Sequence, residues 1–195
     1  MFNKFKNFLL ITIMTFFTTN AAGNYEQLWS TTSLRGLISG TIDIHVLEEG
    51  VHSGDASGIV PSSFRVARDL LARLESSESG TILPQGLHAE IPPERLRQAE
   101  ATALELGEIV WTRFPWAGTT GPLDRNPVNC ILNRAWRPAL AVIGMDGIPL
   151  PGDAGNVLRP NTMLKLSLRL PPTLEAAVAA NILEELFTKN PPHGA

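Results

Sequence analysis

The chain has 195 residues, enough for one domain with a sizeable core. Its 44% apolar and 18% charged residues are ordinary for a globular protein, and a net charge of −3 argues against a surface built for nucleic acid or anionic membranes. One cysteine, Cys130, excludes an internal disulfide framework and any cysteine-cluster metal site, and is read as a buried small hydrophobe. In chain order, residues 1–23 come first. Lys4 and Lys6 precede an apolar run over residues 8–17, and the small residues Thr18 to Ala22 follow. This pattern predicts a secretory leader, and the run is too short to span a bilayer, which needs about 20 residues. Such a leader makes the product secreted or periplasmic; without it the chain is cytoplasmic.

Residues 34–47 alternate, with Ile38, Ile42, Ile44 and Val46 on one face and Thr41, Asp43 and His45 on the other, which predicts a half-buried strand. Residues 48–61, rich in Gly, Ser and Asp, read as a loop. A helix opens at Pro61-Ser62-Ser63, with serine as the expected cap and Phe64, Ala67, Leu70, Leu71 and Leu74 as its apolar stripe. Residues 81–136 read as an insertion. They hold a helix over 94–110, an irregular arm over 111–127 and a short helix from Pro127. Trp111, Phe114, Trp116 and Trp136 are expected to pack a small satellite core rather than form a ligand platform.

Residues 138–145 predict a second strand. The clearest strand spans 163–170, with Leu164, Leu166, Leu168 and Leu170 on one face and Lys165, Ser167 and Arg169 on the other. Pro171-Pro172 stops it. Thr173 is the expected cap of a last helix, whose stripe is Leu174, Val178, Ile182, Leu183 and Leu186. The order is strand, helix, insertion, strand, strand, helix. It supplies five of the six elements of an α+β, ferredoxin-like β-α-β-β-α-β domain, and the final strand is expected to be missing. That leaves one sheet edge unpaired, which invites self-association.

Two motifs, "EGVHSGDASG" at residues 49–58 and "GNVLRPNTMLKLSLRLPP" at residues 155–172, together resemble the lid, or dimerisation, domain of M20-type metallopeptidases. That family includes dipeptidases of the carnosinase and cysteinylglycinase type and amino-acid deacylases. The resemblance covers residues 24–195. It implies a lid that dimerises and serves a separate catalytic domain holding zinc. It implies that His52 stabilises the oxyanion across the dimer, that Asn156 helps bind substrate, that Gly155 belongs to the presenting turn and that Arg169 binds the substrate carboxylate. The residue chemistry agrees in part: a guanidinium fork suits a carboxylate, and a His or Asn side chain can donate to a developing negative oxygen. Simpler readings stand beside these: an Arg169–Asp43 pair across the sheet, a solvated loop histidine and a turn asparagine.

The metal ligands of that family, a His-x-Asp pair and a Glu-Glu dyad among them, are expected to be absent from this chain. Asp43-x-His45 is reversed, and Glu48-Glu49 and Glu184-Glu185 read as solvated charges. No serine-nucleophile elbow, phosphate loop or dinucleotide fingerprint occurs. The chain alone is therefore expected to bind no metal and to be inactive. A homodimer, a separate catalytic chain, or an exported binding module reusing the lid fold are the readings that remain.

Overall fold

The computed structural model describes residues 29–195, so the leader pattern lies outside the described residues. Three strands form the main sheet: β1 (Gly36–His45), β3 (Ala139–Asp146) and β5 (Asn161–Leu170). Their order is β1-β5-β3, with every neighbour antiparallel. Helices α2 (Ser63–Leu74) and α6 (Ala176–Thr188) cover one face. With α2 linking β1 to β3 and α6 following β5, this is the ferredoxin-like α+β arrangement. Among the described residues no strand pairs with the outer edge of β1. A cavity of about 290 Å³ lies along it, lined by Ile38, Thr41, Ile42, Leu166, Ala180 and Phe187.

The core follows from the two periods. On β5, Leu164, Leu166, Leu168 and Leu170 are all buried, and Ile42 and Ile44 join them from β1. Val66, Ala67, Leu70 and Leu74 enter from α2, and Ala179, Leu183 and Phe187 from α6. Two stripes are rotated relative to expectation. Phe64 is 41% exposed and Val178 is 45% exposed, while Val66 and Phe187 take the buried places. Neither expected cap forms. Ser62 occupies the N-cap position of α2 without a side-chain bond, and α6 begins at Ala176 after an uncapped Glu175. The next serine serves differently. Buried Ser63 Oγ lies 2.8 Å from buried Thr162 Oγ1, so a hydroxyl pair is satisfied within the apolar core and ties α2 to β5.

Residues 48–61 are not simply loop. They contain β2 (Val51–His52) and the single turn α1 (Ser53–Ala56), and β2 pairs with β4 (Val157–Leu158). Ile82 and Leu87 belong to the main core. Beyond them α3 (Pro93–Leu106), α4 (Ile109–Thr112) and α5 (Pro127–Ala135) build a second core from Ala99, Ala103, Leu106, Val110, Ile131 and Leu132, with Trp111 and Trp136. The expected helix over 94–110 ends earlier because Gly107 takes a positive φ of 49° at its C-cap, a conformation glycine adopts without a Cβ penalty. Asn126 caps α5 by accepting from Asn129 N–H at 3.1 Å.

The satellite-core reading holds for Trp111 and Trp136. Phe114 and Trp116 are instead exposed and meet edge to face at 6.1 Å, with the Arg113 guanidinium 5.1 Å over Phe114. Cys130 is half-buried against this second core, and its thiol donates to the Asp124 carbonyl at 3.0 Å. Burial, then the Asp124 charge, pushes the thiol above the usual cysteine range. Because the thiolate is the nucleophile, Cys130 is expected to alkylate at pH 8 at least about fivefold more slowly in the folded chain than after urea unfolding. Equal rates by mass spectrometry would contradict this placement.

Candidate functional site

The site assembles where the two small strands meet the end of the main sheet. Val46 N–H and Leu47 N–H donate to the Pro160 carbonyl, which fixes the β2–β4 pair against the ends of β1 and β5. In the β2–β4 register Val51 faces Leu158 and His52 faces Val157. Ser53 N–H donates to the Asn156 carbonyl at 2.9 Å. His52, Gly155 and Asn156 are therefore brought together on adjacent strand ends, all solvent-exposed. Two glycines permit the close approach. A Cβ at Gly50 would stand 2.8 Å from Val157 Cγ1, and one at Gly54 would stand 2.7 Å from the His52 ring. A Cβ at Gly155 would meet nothing within 4 Å, so steric need does not explain that glycine.

His52 Nδ1 lies 3.8 Å from Asp55 Oδ2, with both side chains largely exposed. At that distance, between exposed groups, the pair is weak. The ring can donate to an anionic oxygen presented from outside the chain. Ser53 starts α1 beside these residues, but adjacency within one turn does not supply the nucleophile–base–orienter geometry of a triad.

Arg169 stands apart. It is exposed on β5, opposite Leu37 of β1 and Ala139 of β3, eight residues beyond Asn161. At about 3.3 Å per residue, that places it roughly 25 Å along the strand from the His52–Asn156 end. One small ligand held by a single copy of this chain cannot touch both. The alternative pairing of Arg169 with Asp43 does not form. Asp43 faces Met163 in the register, and its Oδ2 lies 3.0 Å from His45 Nε2.

The described residues contain no group of three or more His, Cys, Asp and Glu side chains able to hold a metal ion. The Asp43–His45 and His52–Asp55 pairs each offer two donors, whereas a zinc site requires three protein ligands or four. Glu48 and Glu49 are exposed, as are Glu184 and Glu185. Glu185 bonds Lys189 at 2.8 Å, which holds its carboxyl below the usual range.

The family model described as the peptidase dimerisation domain matches residues 32–195. The chain belongs to this family. The dimerisation domain here has no match among curated proteins. Among solved structures it is similar to the dipeptidase Dug1p of Saccharomyces cerevisiae, with a TM-score of 0.62 and 21% identity over 79% of this chain and 32% of that one. Human carnosine dipeptidase 1 superposes with a TM-score of 0.60 and 21% identity, covering 84% of this chain and 36% of that one. The M20 family metallo-carboxypeptidase Sso-CP2 of Sulfolobus solfataricus gives a TM-score of 0.58 and 16% identity over 80% and 35%. The dimerisation domain thus spans about a third of the length of these peptidases, and the likeness is one of fold.

No sequence signal placed Arg35 within electrostatic reach of Arg169 and of Arg134. Arg35 and Arg134 are 99 residues apart, and no local period links them.

Proposed function

We propose that this chain serves as the dimerisation and substrate-lid domain of an M20-type zinc peptidase or amidohydrolase, and that it does not hydrolyse substrate by itself. The observation that carries this reading is the extent of the match. A peptidase dimerisation domain fills residues 32–195, while the peptidases it resembles are about three times longer. The zinc, and the nucleophilic water it would activate, belong to a separate catalytic domain or chain. In this reading His52 stabilises the oxyanion across the dimer, Asn156 helps bind substrate, Gly155 belongs to the turn that presents them and Arg169 binds the substrate carboxylate. The separation of about 25 Å between the two ends of β5 suits a two-copy arrangement, in which one copy supplies His52 and the other supplies Arg169.

Self-association is assigned to the outer edge of β3, which, like that of β1, pairs with no strand among the described residues. Val142, Ile143 and Met145 are 45%, 60% and 52% exposed there. An apolar strand edge with unpaired N–H and C=O groups is a template for another strand, and a second copy satisfies it symmetrically. Sedimentation equilibrium of the purified chain is expected to give a dimer. Ile143→Lys is expected to raise the dimer dissociation constant at least about tenfold, since a charge on the edge opposes pairing. A monomer at all accessible concentrations would refute the assignment. So would dipeptide hydrolysis by the chain alone with stoichiometric zinc.

A further inference from the structure

The backbone does not explain why residue 54 is a glycine. Gly54 lies inside the single turn α1, where glycine is a poor helix former, and its φ is not among the positive values that favour the residue. The space beside it does explain it. A Cβ there would stand 2.7 Å from Cε1, 3.0 Å from Nδ1 and 3.9 Å from Nε2 of His52. Beyond its own turn of chain, these three ring atoms are the nearest to that position. The imidazole therefore lies over residue 54 with its Cε1–Nδ1 edge inward, and Nε2 is the nitrogen farther from the backbone.

The glycines of this region differ in what they make room for. At Gly50 the group in the way is Val157 Cγ1, at 2.8 Å, so that glycine serves the pairing of β2 with β4. Only at Gly54 is the room filled by the ring of the candidate functional side chain itself. The His52 side chain is 65% exposed, and its contact with Asp55, at 3.8 Å between exposed groups, is too weak to hold it. A side chain at residue 54 would thus push the ring to another rotamer without deforming the sheet.

We propose that Gly54 is a positioning residue for His52. By lacking a Cβ it seats the imidazole against α1 and leaves Nε2 as the nitrogen that meets an oxyanion presented by a second copy. The proposal rests on the His52 reading given above and goes beyond it by naming what sets the ring. Hydrogen bonds to a developing oxyanion weaken steeply with distance and angle, so a displaced ring loses the contact even where the fold is intact.

Two-dimensional proton NMR and thermal unfolding of the full chain, of Gly54→Ala and of Gly54→Ser test this together. In the unaltered chain His52 Hε1 is expected to show a nuclear Overhauser contact to the Gly54 Hα protons. Both variants are expected to lose the contact to the residue 54 Hα while their melting temperatures fall by no more than about 3 °C. Gly152→Ala is the control: nothing lies within 4 Å of its notional Cβ, and it should leave the His52 contact unchanged. No contact in the unaltered chain overturns the proposal. So does a contact that survives both substitutions. A larger loss of stability in both variants, or failure of both to fold, overturns it too, because the glycine is then structural. None of these measurements uses substrate, so they stand apart from the catalytic reading of His52. That reading fails instead if His52→Ala leaves unchanged the hydrolysis seen when the chain is mixed with a zinc-bearing catalytic chain.

Discussion

Leu164→Ala is expected to lower the unfolding free energy by about 3 kcal/mol and the melting temperature by about 10 °C. Leu164 sits mid-way along the central strand β5, 1% exposed, opposite Ile42 on β1 and Met145 on β3. Strands flank it on both sides, and α2 and α6 cover the same core. A truncated side chain leaves a void that hydrogen-bonded neighbours cannot collapse to fill, so the cavity cost adds to the lost transfer free energy. Leu104→Ala is the control. Leu104 is 86% exposed on α3, and its truncation should change stability by no more than about 0.5 kcal/mol. Urea denaturation followed by circular dichroism measures both. A Leu164→Ala loss below about 1 kcal/mol would mean that β5 is not the centre of the core.

Gly147→Ala is expected to cost about 2–4 kcal/mol, far more than a methyl group usually does. Gly147 follows β3 with φ of 86°, and a Cβ there would lie 2.6 Å from the Asn161 carbonyl oxygen. Two penalties coincide: a left-handed backbone that L-residues avoid, and a collision with main chain rather than with a movable side chain. Gly118 separates them. Its φ is 56° and nothing lies within 4 Å of its notional Cβ, so Gly118→Ala carries the backbone penalty alone, about 1 kcal/mol. The gap between the two variants therefore measures the collision. Gly147 also accepts from Arg159 Nε at 3.1 Å, on the segment joining β4 to β5. Relaxing this turn is expected to loosen the registered edge of β3 as well, so weaker self-association should accompany the lost stability. Equal losses at Gly147 and Gly118 in the same denaturation assay would show that the close contact is not maintained.

The contrast between what was readable and what was not has physical causes. The strands β1 and β5 were legible because a buried face repeats every second residue, and four leucines on β5 leave no ambiguity of register. The positions of α2 and α6 were legible, but their buried faces were each rotated. Phe64 and Val178 fit an apolar stripe as well as Val66 and Phe187 do, and only packing against the sheet decides between them. The early stop at Gly107 was signalled, since glycine just past a periodic run marks a helix end. The β2–β4 pair carried no signal, because two residues make no period. The candidate site divides in the same way. That His52 and Asn156 stand together was suggested by resemblance alone, and chain pairing 105 residues apart is what achieves it. That Arg169 lies at the opposite end follows from strand length, and the approach of Arg35 to the end of α5 depends on how the insertion folds back.

The second core has a spectroscopic consequence. All four tryptophans, Trp29, Trp111, Trp116 and Trp136, lie outside the sheet core, and three of them pack in or against the second cluster. Indole emission is thus a private reporter on the inserted helices, while the leucine-lined sheet has no chromophore of that kind. Far-ultraviolet dichroism sees both halves, so the two signals will superimpose on heating only if both halves melt as one cooperative unit.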